Sequence, residues 1–441
     1  MPGWKQQVKA GPMERDNPSG SRRASIDDVA YASGVSRQTV SRVINNSGYV
    51  AEQTRLKVED AIRHLHYQPS QSARALATRH SRMIAVIAGG INYFGPLSTI
   101  SALEQTARAR GYFISLANVD ERGLSDTEFS SIMQGFSQLG AEAYVIVAPT
   151  DAMLHAVKQV RFDVPCVIIT GSDGDEDIEG YLEANSTVYA VGIDQWDAVG
   201  SIAETVYSDC FRHQGVGDPG SAGAGSRDNA AYYLAGPLQW RDAYTRRAAW
   251  EAACTELGME STVIDADSWD AQAGYSAAQA VLGEAFGDKR PENGKFCEGR
   301  NIAVVCANDL LAFGALRALG EYPGLAGLGM GNRDTGRRLV KIAGYDDMPG
   351  SDSTCPPLST VKPDFGMLGS TAMEILLNAV EDTGSTEGPE ETAGDVSSGA
   401  EAGNGMNDRK KGLTGYGDAA VLPQRHGVIQ VPAQFIRRES L

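Results

Sequence analysis

Two groups of residues in this chain have the types and spacing to do chemistry, and they ask for different partners. The first is Ser36-Arg37-Gln38-Thr39-Val40-Ser41-Arg42-Val43-Ile44-Asn45. Ser36 has the chemistry of a helix N-cap, its oxygen available to the open N–H groups of a first turn. From there Val40, Val43 and Ile44 fall on one helical face, and Arg37, Gln38, Ser41 and Arg42 fall on the other. Arginine and glutamine suit the edges of guanine and adenine in a major groove; an ordinary surface helix with a polar face has the same pattern. The second group is scattered. Asn308-Asp309 follows the apolar run Ile302–Cys306, Asp346-Asp347 follows Val340–Ala343, Arg246 sits after Leu234-Ala235-Gly236-Pro237, and Trp269 lies in Asp267-Ser268-Trp269-Asp270. Carboxylates, amides and guanidinium groups engage two oxygens at once, which suits vicinal sugar hydroxyls, and an indole can cover a sugar's apolar face. Capping by Asn308 and Asp346, with a surface tryptophan, accounts for the same spacing.

The elements that must position these groups differ along the chain. Ser25-Ile26-Asp27-Asp28-Val29-Ala30-Tyr31-Ala32 reads as a short capped helix with two aspartates in its first turn. Ser33-Gly34-Val35 turns into the helix carrying Arg37, which makes a helix-turn-helix whose second helix reads bases. A third helix over 52–65 closes a small core with Val58, Ala61, Ile62 and Leu65, and a last helical run spans Ser70–Thr78 with Ala73 and Leu76. From Ser81 onward, compact apolar runs such as Met83–Ala88, Ala143–Val147 and Val164–Ile169 alternate with helical stretches, and a second such set begins after about residue 190. This alternation predicts βαβ units, parallel sheets and two α/β subdomains with a cleft between them, where ligands meet the carboxyl ends of strands.

The net charge of −17 argues against nucleic acid until its distribution is read. Residues 1–80 hold 12 Lys+Arg against 7 Asp+Glu, and the remainder holds 27 against 49. A basic head on an acidic body confines phosphate binding to one end. The 6 cysteines are spread singly, as reduced thiols of a cytosolic protein, and the 6 histidines show no metal-binding spacing. No run is long and apolar enough to span a bilayer, and residues 1–23 lack the apolar segment of a signal peptide, reading as a disordered tail. The stretches 215–227, 286–300 and 382–426 read as inserts, the last of them disordered. Gly327-Leu328-Gly329-Met330-Gly331 is a flexible loop rather than a phosphate cradle, and no nucleophile–base pair can be argued, so neither an enzyme nor a cofactor is expected.

Residues 24–80 resemble the headpiece of the lactose-repressor family of bacterial transcription regulators, including the run Val-Ser-x-x-Thr-Val-Ser-Arg-Val-x-Asn. The resemblance implies that Arg37, Gln38 and Arg42 face bases, with Ser36, Thr39, Ser41, Asn45 and Thr54 nearer phosphates. It also implies a hinge helix at 70–80 that contacts DNA through Ala73 and Leu76, with Leu76 entering the minor groove as a wedge that kinks the duplex. Ala51 stands where the family often has a capping serine. Residues 81–441 resemble the family's periplasmic-binding-protein-like core, with the inserts as departures. Leu234–Trp250, Ala307–Ala318 and Gly344–Phe365 carry that likeness. It implies an effector site of Arg246, Trp269, Asn308, Asp346 and Phe365, with Gly89, Tyr93, Gly95 and Pro96 on the opposite half. Thr170 replaces an aspartate after the strand at 166–169; it can still bond a hydroxyl but lacks the charge.

The expected fold is thus an all-α helix-turn-helix headpiece at 24–69 with a hinge helix at 70–80, followed by a two-subdomain α/β core. Its first subdomain is expected at about 81–191 plus 365–381, and its second at about 192–364 plus 428–441. The expected function is a cytoplasmic, homodimeric repressor that binds a double-stranded DNA operator under control of a small sugar. The indole in its loop and Phe365 favour the family's galactoside-sensing branch over its purine-sensing one. The absence of a leucine-heptad helix after Ile436 favours a dimer over a tetramer. The same regulator sensing another sugar is the runner-up. A plain sugar-binding protein leaves the headpiece unexplained.

Overall fold

The computed structural model describes residues 24–68, 80–174, 176–211, 229–286, 301–322, 340–385 and 422–441. The chain divides into two compact units, Met1–Ser81 and Arg82–Leu441. The expected tail at 1–23, the hinge helix with Ala73 and Leu76, the insert at 215–227 and most of the inserts at 286–300 and 382–426 lie outside the described residues.

In the first unit three helices, α1 (Ile26–Ser33), α2 (Arg37–Ile44) and α3 (Glu52–His64), enclose Val29, Val40, Val43, Val58 and Ala61. Ser25 caps α1 in a capping box with Asp28, and Gly34 takes the left-handed conformation that turns the chain into α2. Ser36 caps α2, accepting from the Thr39 N–H at 3.2 Å. The start of α3 has no side-chain cap at Ala51. Ile62, Leu65 and Tyr67 seal the rim of this core.

The second unit is two α/β lobes. The first holds β1 (Met83–Gly89), α4 (Phe94–Ala109), β2 (Phe113–Val119), α5 (Asp126–Gln138), β3 (Ala143–Val147), α6 (Asp151–Lys158), β4 (Cys166–Ile169), α7 (Glu179–Ala184) and β5 (Val188–Ile193). The chain then enters the second lobe with α8 (Gln195–Val206), β6 (Ala230–Ala235), α9 (Arg241–Leu257), β7 (Ser261–Asp265), α10 (Ala271–Phe286), β8 (Ile302–Cys306), α11 (Asp309–Glu321), β9 (Val340–Tyr345) and β10 (Ser359–Pro363). It returns to the first lobe as α12 (Phe365–Ser385), β11 (Gln424–Arg425) and β12 (Val428–Val431), and finishes in the second as β13 (Ala433–Ile436).

The first sheet has strand order β11-β12-β5-β4-β3-β1-β2, and the second β13-β10-β9-β8-β6-β7. All pairings are parallel except β11 with β12 and β10 with β13. Strands β1, β3, β4 and β8 are buried at every position, as parallel strands covered on both faces must be. The edge strand β2 alternates between exposed and half-buried before ending on buried Val119.

Two expectations are corrected. The terminal run 428–441 does not belong wholly to the second subdomain: β12 pairs with β5 of the first sheet, and only after Pro432 does β13 join β10 of the second. The stretch placed at 382–426 also overlaps regular structure at both ends, because α12 continues to Ser385 and β11 begins at Gln424. Among the described residues no helix is long and apolar enough to cross a membrane.

Candidate functional site

The headpiece presents a polar helix face. With Val40 and Val43 buried, α2 leaves Arg37, Gln38 and Arg42 exposed and Thr39 and Ser41 half-buried at its flank. Ser36 Oγ and Thr39 Oγ1 lie 2.9 Å apart, and Asn45 donates to Ser41 Oγ at 3.2 Å, so the flanking hydroxyls are held in place. Arg37 approaches Asp27 at only 3.9 Å, with both side chains mostly exposed, a pairing easily exchanged for another anion. Thr54 is half-buried in the first turn of α3. This surface thus presents side-chain types chemically suited to base edges, with hydroxyls beside them of the kind that can bond phosphates.

In the body, a cavity of about 820 Å³, the solvent at its mouth included, opens where the strands of both sheets end. The first lobe contributes Tyr93, Gly95 and Pro96 at the start of α4, Thr170 just after β4, and Phe365 at the start of α12. Arg246 on α9, Trp269 after β7, Asn308 after β8 and Asp346 after β9 come from the second. Nine of the ten residues expected at the effector site therefore line one cavity. Gly89 does not. It ends β1 beneath the packed side chains of Met153 and Glu121, where an added Cβ would meet Met153 Sδ at 2.4 Å. Its place in the core is a matter of close packing.

Each polar group is held by something specific. Arg246, 6% exposed, donates from Nε to Gln195 Oε1 at 2.9 Å and from Nη1 to the Ala307 carbonyl at 2.5 Å. Its Nη2 lies 3.7 Å from Asp346, and the guanidinium covers the Tyr345 ring, 3.6 Å from the centroid. Burial pushes the Asp346 carboxyl up to about 8, with Arg246 pulling the other way. Asp346 has φ of +116° and starts no helix, so capping does not explain it. Asn308 does both jobs: Oδ1 accepts from the Leu311 N–H at 2.8 Å to cap α11, and Nδ2 donates to the Trp269 carbonyl at 3.1 Å.

Trp269 is 4% exposed and thus not a surface residue. Its ring meets Trp240 edge-on at 5.8 Å, and Trp240 meets Tyr93 the same way at 4.9 Å. The indole N–H groups of Trp240 and Trp269 and the hydroxyl of Thr170 are buried without a partner in the described protein. Buried polar atoms on lining residues that lack partners are the groups a ligand can satisfy. The neighbours Asp309 and Asp347 do not line the cavity. Asp309 is sealed beneath it by Ser351, Thr360 and the Met348 N–H, and Asp347 pairs with Arg438.

Sequence reasoning missed Trp240, Asp242 and Gln195, all of which line the cavity. A usable signal existed for Asp242: it precedes Arg246 by four residues on one helix, so the two share a face. Among the described residues, no cluster of His, Cys, Asp and Glu could hold a metal ion.

Residues 25–70 match the family described as bacterial regulatory proteins, lacI family, and residues 222–396 match the periplasmic binding protein-like domain. The chain is 27% identical to the lactose operon repressor of Escherichia coli (strain K12), over 79% of this chain and 83% of that one. It is 28% identical to the HTH-type transcriptional repressor PurR of Erwinia tasmaniensis, over 81% and 90%. In fold it is similar to the Lac repressor dimer bound to operator and the anti-inducer ONPF, with a TM-score of 0.66 and 22% identity over 95% of this chain and 99% of that one.

Proposed function

We propose that this chain, a member of the lacI family of bacterial regulatory proteins, is a sequence-specific DNA-binding repressor whose hold on its operator is set by a small sugar in the body's cavity. The observation that carries the sugar reading is the pairing of a buried indole, Trp269, with Arg246, Asp346 and Asn308 around one space. A flat apolar face beside bidentate hydrogen-bonding groups matches the two kinds of surface a pyranose presents. The relatives it matches are repressors rather than enzymes.

A galactoside is the first candidate, supported by Trp269 and Phe365 and by the likeness to a lactose operon repressor. Another sugar is favoured by one feature, Thr170 in place of the acidic residue that the resemblance expects after β4. Nearly equal identity to the lactose operon repressor and to PurR leaves this choice to the cavity's own chemistry. The protein acts in the cytoplasm as a homodimer, since two half-sites related by a two-fold axis call for two headpieces.

Titrating operator-bound protein with a panel of galactosides, glucosides and β-linked disaccharides, read by tryptophan fluorescence and by DNA mobility, tests the reading. One or more sugars are expected to change both signals at the same concentration. A panel that leaves operator affinity and fluorescence unmoved rejects sugar control, and a response confined to non-galactosides rejects the galactoside.

A further inference from the structure

Asp242 and Arg246 stand one turn apart on α9 and both line the cavity. Between them lies Gln195, 1% exposed, which uses both ends of its amide. Its Oε1 accepts from Arg246 Nε at 2.9 Å, and its Nε2 donates to Asp242 Oδ1 at 3.0 Å. The bridge fixes the rotamers of both charged neighbours and leaves Asp242 Oδ2 without a hydrogen bond among the described residues. An ionised carboxylate oxygen is an acceptor only. On a cavity wall it suits a hydroxyl donor.

The cation of this wall is already committed. Arg246 is the one basic side chain among the described lining residues, and its guanidinium is shared by Gln195, the Ala307 carbonyl, Asp346 and the Tyr345 ring. The carboxyl groups of Asp242 and Asp346 line the same cavity. The start of α4 also faces the cavity, but Pro96 removes one of the N–H groups that a helix start offers an anion. An incoming phosphate or carboxylate finds no uncommitted positive charge here, and it meets the Asp242 oxygen directly.

We infer that Asp242 is a specificity-determining residue of the effector site: its free oxygen accepts a ligand hydroxyl, and its charge restricts the site to uncharged sugars while excluding their phosphates. This rests on the sugar reading above. It places the hydroxyl-accepting carboxylate on α9, in the opposite lobe from Thr170.

The test uses the full chain, tryptophan fluorescence and calorimetry. The probes are galactose, glucose, lactose and cellobiose, with galactose 6-phosphate and glucose 6-phosphate beside them. Wild type is expected to bind at least one neutral sugar and to bind the corresponding phosphate at least a hundredfold more weakly. Asp242→Asn keeps an oxygen for Gln195 but replaces the free acceptor with a donor, so it should bind the neutral sugar at least tenfold more weakly. It should also narrow the gap between neutral sugar and phosphate, with its thermal midpoint near wild type. Comparable binding of sugar and phosphate by wild type overturns the inference whether or not the variant folds. Neutral-sugar affinity unchanged in a folded Asp242→Asn overturns it while leaving sugar control intact. No binding of any probe by wild type, neutral or phosphorylated, rejects the sugar reading, and this inference with it.

Discussion

At the scale of single residues, the body's buried carboxyls tie stability to pH. Burial raises Asp346 to about 8, and burial also raises Asp309 to about 6 although Ser351 and Thr360 donate to it. An acid whose folded pKa exceeds its unfolded one keeps its proton longer in the folded chain. The stability that this contributes is complete below the ordinary carboxylate range and is lost as pH rises through the folded value. Both shares should therefore begin to fade above the ordinary carboxylate range, that from Asp309 ending at about pH 6 and that from Asp346 continuing to about pH 8. Thermal midpoints of the ligand-free protein, followed in steps from about pH 5 to pH 9, should decline and then level. In Asp346→Asn the decline above about pH 6 should disappear, and the part below it should become shallower, since Asp309 alone then contributes. An unaltered profile in the variant would mean that Asp346 is ionised in the folded protein throughout this range.

At the scale of elements, the cavity depends on how backbone makes room for rings. Gly236 follows β6, and a Cβ built there would meet the six-membered ring of Trp269 at 2.3–2.8 Å. Gly236→Ala should thus push the indole out of its seat while leaving β6, with its two parallel neighbours, in register. Sugar affinity is expected to fall at least tenfold, about 1.4 kcal/mol, with far-ultraviolet dichroism unchanged. Retained affinity would show that the ring can move without cost to the site. Much of this level was legible in the sequence. Strands β3 and β8 fall at the residues where apolar runs place them, because each pattern is local and complete. Strands β5 and β10 were not read as strands: Val-Tyr-Ala-Val-Gly-Ile carries a glycine, and Ser-Thr-Val-Lys-Pro is short and half polar. The division of 428–436 between two sheets was not legible either. Both halves are apolar, and what separates them is a choice of distant partners that no local pattern records. The cavity followed the same rule. Residues immediately after apolar strands were legible, and Asp242 was signalled by its spacing from Arg246, whereas Trp240 and Gln195 became visible only when two lobes brought helix starts together.

At the scale of the whole body, the two lobes meet at a buried arginine. Arg241, the first residue of α9, is 1% exposed and reaches from the second lobe into the first. Its guanidinium pairs with Asp151 and donates to the carbonyls of Gly171 and Glu176, each at 3.1 Å, while its N–H donates to the Pro149 carbonyl at 2.8 Å. The residues on either side, Trp240 and Asp242, line the cavity. The contact that fixes one lobe against the other therefore occupies the same turn of helix as two cavity walls. A ligand that touches both lobes binds only the fraction of molecules in which the lobes are correctly set, and its apparent affinity falls by that fraction. Arg241→Met keeps much of the buried apolar stem and the backbone N–H but loses the three guanidinium contacts. If the competent fraction drops to about a tenth, the apparent Kd for sugar should rise about tenfold with every lining side chain still present. Energy transfer between dyes on α5 and α10, one in each lobe, should broaden in the ligand-free variant and sharpen again at saturating sugar. Weaker binding without that broadening would instead assign the loss to a local disturbance of Trp240 and Asp242, and unchanged binding would show that other contacts between the lobes suffice to set them.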